Sequence, residues 1–203
     1  NKIFSSNLNL ASLDGSTGFV INGVDQFDSS GFSVSSAGDI NGDGFADRMY
    51  AADLGGQVWR FDIFANQPAA TLVTGGIIAR FGFEGGDGTV LTPAGEGARR
   101  IYNSPDISIF TDLNQNRRYI AVNIGTGYRA HPLNTNAADT FYSLRDPDVF
   151  NQLSQSNFNS YDIASDADLV TINGKTKTVI TASDRGWKFQ MPATQMVLAD
   201  STT

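Results

Sequence analysis

The sequence predicts an all-β protein, a β-propeller or several blades of one, and three observations carry that expectation. Short apolar or alternating runs bounded by Gly, Asn or Asp dominate the 203 residues: GFVING, RMYAAD, QVWRFDI, RRYIAVNIG, TFYSLRD, DLVTING, KTKTVITASD and GWKFQM. Their length and turn-forming borders are those of strands. Few stretches show the helical period instead. Finally, RMYAADLGGQVWRF (48–61), YIAVNIGTGYRAHP (119–132) and VITASDRGWKF (179–189) resemble one another. Each has a β-rich run, polar residues, a Gly-containing turn and an aromatic opening the next strand. Their spacing of roughly 60–70 residues is wider than in common propeller repeats, and fits blades carrying insertions.

Taken in chain order, residues 1–30 are turn-rich, and the strands begin beyond them. All of 1–203 is expected to belong to one propeller domain. One helix is predicted, at DPDVFNQLSQS (146–156), with Asp146 as cap and Pro147 in the first helical position. Asn173-Gly174 predicts a two-residue hairpin turn, because a type I′ turn needs positive φ at both central positions.

Composition narrows the function classes. Charged residues make up 17%, with only four lysines and no cysteine, against a usual charged share of about 25%. This suits a turn-rich sheet protein working outside the cytoplasm, and it removes disulfide and thiolate chemistry. The net charge of −7, with no basic run, argues against nucleic acid and anionic membrane as partners. No apolar run is long enough for membrane insertion in this segment, and no signal peptide is evident. The chain begins at Asn1 without methionine and ends at Thr203. It is expected to be a piece of a longer protein whose amino-terminal region lies elsewhere.

DINGDGFAD (39–47) is the stretch with chemistry in it. Calcium takes six to eight oxygens, and a self-wrapping loop offers them at positions 1, 3 and 5 with a backbone carbonyl at 7. Asp39, Asn41, Asp43 and the Phe45 carbonyl fill those places, Gly44 takes the turning position, and Asp47 falls at position 9. Position 12, a Glu in a full EF-hand, is Tyr50. The expectation is therefore an EF-like calcium loop running into a strand, with Asp47 completing the shell directly or through water. The competing reading is an Asn-Gly/Asp-Gly double turn with solvated carboxylates. Three carboxylates within nine residues repel one another unless a cation sits among them, which favours calcium. Asp112, Asn114 and Asn116 have similar spacing but a single carboxylate, and read as a turn.

The remaining candidates read as structural. His131 is the sole histidine and has no Cys or second His to share a metal or a catalytic role. Glu84 and Glu96 do not stand out as a glycosidase pair, and Gly125 to Gly127 lacks a nucleotide-binding context. Trp59 and Trp187 occupy equivalent places in the repeat and are expected to pack between blades. Arg99 and Arg100 form a small basic pair in a loop, solvated or in contact with a partner.

GFSVSSAGDINGDGFADRMYAADLGGQVWRFDI resembles the segment of PilY/PilC-type type IV pilus proteins in which an EF-like loop runs into a strand and a W-R-F-D blade motif. IYNSPDISIFTDLNQNRRYIAVNIGTGYRAHPLNTNAADTFYSLRD is similar to that family's P-D-V, G-S-G-x-R-E-H-P and F-Y-x-L-R-D run, and DRGWKFQMPATQMVLADS to its later G-W-Y-x-D-L segment. The likeness covers the chain from about Gly31 onward. It departs at Ala130, where the family has an acid, and in GWKFQM. The resemblance implies the carboxy-terminal propeller of a pilus-tip adhesin and biogenesis factor, not an enzyme. It implies calcium (Ca2+) on Asp39, Asn41, Asp43, Phe45 and Asp47, controlling pilus extension and retraction. The implied partners are minor pilus subunits and a host or abiotic surface, and the implied location is the cell surface, reached through the periplasm. ADLGGQVWRFD also resembles a quinoprotein dehydrogenase blade, and the D-x-N-x-D-G loop an integrin-like repeat. The first lacks identifiable cofactor-facing acids, and the second normally repeats its loop.

Overall fold

The computed structural model describes residues 33–82, 98–113, 116–173 and 178–197. They form two five-stranded sheets, each an antiparallel set of four with a two-residue strand added in parallel at one edge. The first sheet runs β1 (Ser33–Gly38), β2 (Arg48–Ala52), β3 (Gln57–Ile63) and β4 (Val73–Arg80) as consecutive neighbours. The second is built from β5 (Asp106–Asp112), β6 (Arg117–Gly125) and β7 (Thr140–Asp146). The chain then crosses back: β8 (Ala164–Ser165) pairs with the end of β4. It returns as β9 (Val170–Thr171) and β10 (Gly186–Gln190), and β10 lies between β7 and β9. This exchange stitches the two sheets together.

Alternation decides the buried faces. Tyr50, Val58 and Ile78 from the first sheet meet Ile120, Val122, Ile124, Tyr142 and Leu144 from the second in one apolar cluster. Phe81 stacks on Tyr142 with ring centroids 4.1 Å apart. The all-β expectation holds, and RMYAAD, QVWRFDI, RRYIAVNIG, TFYSLRD and GWKFQM carry strands. The described residues close no propeller ring. GFVING lies outside the described residues, and so does Gly174 of the expected Asn173-Gly174 turn.

Three local expectations need correction. Residues 179–189 do not open a third unit, because β10 is a member of the second sheet. The described part of KTKTVITASD is not a strand: Arg117 and Arg145 donate to the carbonyls of Ala182 and Thr181, and Asp184 accepts the Thr181 N–H. Those are backbone groups that a ladder would use. The helix over 146–156 is also absent, since Asp146 ends β7 and α1 spans Gln155–Asn159. The carbonyls of Asp148 and Asn151 instead accept guanidinium N–H groups from Arg48 and Arg60. The helix starts only where Ser154 and Asn157 form a reciprocal capping box. No helix among the described residues is long and apolar enough to cross a membrane.

Candidate functional site

The stretch 39–47 is the connection between β1 and β2. Two glycines let it turn: Gly42 and Gly44 have φ of +83° and +89°, a region that other residues enter only with strain. The Asp39 carboxylate accepts N–H groups from Gly42 (2.6 Å), Asp43 (3.1 Å) and Gly44 (2.8 Å). Asp43 accepts the Phe45 N–H at 2.9 Å, and the Asn41 amide oxygen accepts the Asp43 N–H at 2.8 Å. Phe45 itself points outward, with 59% of its surface exposed.

Asp47 roots the loop. Its side chain is buried and accepts the N–H groups of Ile40 (2.6 Å) and Asn41 (2.9 Å). Its own N–H donates to the Gly38 carbonyl, and its carbonyl accepts from Ile63 on β3. The Asn41 amide nitrogen donates to Asp47 at 2.7 Å and faces Asp43 at 3.4 Å. A partly positive N–H group thus lies where two carboxylates approach each other. The five candidate residues therefore belong to one turn, exposed except at the buried Asp47, and all their donors are oxygens of the hard type calcium takes. Among the described residues, however, no three carboxylate or histidine side chains converge as a metal cluster. The amide and the backbone N–H groups satisfy these acids in this conformation.

Most other candidates are structural. His131 is exposed in a turn, donating its N–H to the Tyr128 carbonyl with its ring 4.9 Å from that of Tyr128. Asp112 faces Arg117 across the β5–β6 hairpin, where Asn116 takes φ of +48°. Asn114, Glu84 and Glu96 lie outside the described residues. Trp59 stacks beside Phe61 and donates to Asp53 at 3.2 Å, whereas Trp187 packs on Phe141. They sit in the third and the fourth strand of their four-stranded sets, so their expected equivalence is not kept. Arg99 is not solvated. It is 1% exposed and donates to the Ala138 carbonyl, the Tyr142 hydroxyl and Asp166, each at 2.6 Å. Arg100 lies over the Tyr128 ring at 3.8 Å.

A buried charged seam, which sequence reasoning missed, starts one residue after the loop. Arg48 donates to Asp62 at 2.6 Å, and Arg60 forks onto Asp62 at 2.8 Å and Asp146 at 2.9 Å. The Tyr50 hydroxyl donates to Asp146 at 2.5 Å. Burial, reinforced by that carboxylate, raises the Tyr50 pKa well above its ordinary 10. Asp146 ends β7, whereas the other four residues lie on β2 and β3, so the seam joins the two sheets. A second cluster joins Arg99 and Lys188 to Asp166, with the Tyr142 hydroxyl donating to the same carboxylate at 2.8 Å. The available signal was phase: Arg48 and Tyr50, Arg60 and Asp62, and Tyr142 and Asp146 stand at even spacing, on the core-facing side of their strands.

No protein-family profile matches the sequence, and no curated protein matches it. Among solved structures, the C-terminal domain of Pseudomonas aeruginosa PilY1 is similar in fold. The TM-score is 0.54 at 20% identity, over 83% of this chain and 41% of that one. The chain thus spans about two fifths of the length of that structure, and at this identity the likeness is one of fold.

Proposed function

We propose that this chain is a calcium-binding portion of a β-propeller in a type IV pilus biogenesis factor and adhesin. On this reading it acts by binding, not catalysis, at the cell surface, with minor pilus subunits and a host or abiotic surface as partners. Support comes from the fold shared with the PilY1 C-terminal domain and from the residue pattern that resembles the same family. The single observation that supports the calcium reading is the 39–47 loop, whose sequence spaces four oxygen-bearing side chains and the Phe45 carbonyl as a calcium loop does, on a turn that Gly42 and Gly44 permit. Asp39, Asn41, Asp43, the Phe45 carbonyl and Asp47 would hold the ion, which would neutralise the carboxylates.

The protein's own residues supply the coupling. Asp47 ties the loop to β1 and β3 through its backbone, and Arg48 beside it enters the buried seam to Asp62 and the carbonyls of Asp148 and Asn151. Tension or order in the loop therefore acts on the joint between the two sheets. That is a route by which calcium concentration would bias contacts with partners. The biological test is Asp43→Ala in the parent protein, in bacteria that carry it. Altered surface piliation and attachment are expected. Unchanged piliation and attachment by a variant shown to have lost calcium would contradict the regulatory role.

A further inference from the structure

The chain carries −7 overall, yet four of its ten arginines, Arg117, Arg118, Arg145 and Arg185, line one cleft of about 120 Å³. The cleft lies where β6 begins and β7 ends, closed on its far side by residues 182–185. Asp112 and Asp184 also line it, so arginines outnumber carboxylates in its wall by two. Three other arginines, Arg48, Arg60 and Arg99, are buried against carboxylates. The cleft arginines are arranged differently. Among the described residues their one ion pair is Arg185 with the exposed Asp162, at 2.8 Å.

Three of the four guanidinium groups, those of Arg117, Arg145 and Arg185, are nonetheless held in place. Arg145 lies over the Tyr119 ring at 4.7 Å and donates to the Thr181 carbonyl at 2.9 Å, and Arg117 donates to the Ala182 carbonyl. Each of the two donates one side-chain N–H to a neutral carbonyl among the described residues, while Asp112 stands opposite Arg117 and Asp184 acts on Arg145, so their charge is offset only in part. Pinning residues 181–185 accounts for Arg117 and Arg145. It does not account for Arg118, whose guanidinium lies 5.8 Å from the exposed Phe150 ring. Guanidinium forks around a small opening, three of them held in place, suit a planar or tetrahedral oxyanion, which takes paired N–H donors.

We propose that this cleft binds a single oxyanion group, a carboxylate or a phosphate, presented by a ligand. The site is separate from the 39–47 loop and does not depend on calcium there. The test is an NMR titration of the 203-residue chain at constant ionic strength, reading the arginine side-chain N–H resonances, with inorganic phosphate in one arm and D-glucuronate in the other. Saturable shifts at Arg118 and Arg145 are expected with at least one probe, at a Kd on the order of 1 mM. Saturation by phosphate alone assigns a phosphate source, by glucuronate alone a carboxylate source, and by both the shared chemistry. Arg118→Ala, which removes no side-chain hydrogen bond among the described residues, should keep the melting temperature and weaken binding about tenfold. No saturation in either arm, equal binding by Arg118→Ala, or equal shifts at Arg129 outside the cleft would each overturn the proposal.

Discussion

Arg60 shows how much one side chain carries. Its guanidinium satisfies Asp62 and Asp146 together and donates to the Asn151 carbonyl at 2.7 Å, with no exposed surface. Buried ion pairs owe their stability to complete pairing, because each desolvated charge is costly alone. Arg60→Met should therefore cost about 3–5 kcal/mol, read as a lower urea midpoint at unchanged slope. Tyr50→Phe removes a single donor to Asp146 and should cost about 1–3 kcal/mol. Asp139 behaves in the opposite sense. Burial raises its pKa above 3.8, although the Thr126 hydroxyl donates to it and Arg99 and Arg100 oppose the shift. A carboxyl that is more basic when folded costs stability while ionised. The cost is fully present above the folded-state pKa and vanishes as pH falls below the unfolded value near 3.8. Asp139→Asn should remove that component from the stability–pH profile, and an identical profile in the variant would show that Asp139 is not its source.

At the scale of elements, β10 depends on a residue without a side chain. Gly186 has φ of +143°, and a Cβ placed there would stand 2.1 Å from the Ser143 carbonyl oxygen on β7. Gly186→Ala should thus loosen the β7–β10 pairing, and amide exchange in 186–190 should accelerate before that in β2 and β3. Uniform protection across both sheets would contradict this. The strands themselves were legible, because RMYAAD and QVWRFDI alternate in phase with burial and end in turn-forming residues. The helix start was not. Asp146-Pro147 is a sound local signal, but Arg48 and Arg60, about a hundred residues away along the chain, claim the carbonyls a helix would use. Arg99 was misplaced for the same reason: neighbouring residues cannot disclose that Tyr142 and Asp166 will close around it. The 39–47 turn was readable because its chemistry is local, from Asp39 to Asp47. What spacing could not disclose is that Asp47 is buried as the root of the turn and that the Asn41 nitrogen lies between two acids.

For the whole molecule, the two sheets form one unit through the shared apolar cluster, the β8 crossing and the charged seam. The 39–47 loop ends one residue before Arg48, the first arginine of that seam. Calcium binding by the loop is tested by calorimetric titration of the 203-residue chain, with magnesium as control and Asp43→Ala alongside. One calcium bound in preference to magnesium, with binding lost in Asp43→Ala, is the predicted result. At about a hundredfold excess over Kd the bound ion should add about 2.7 kcal/mol of stability. No calcium bound by the intact chain, or equal binding by Asp43→Ala, would contradict the account and leave DINGDGFAD a hydrogen-bonded turn.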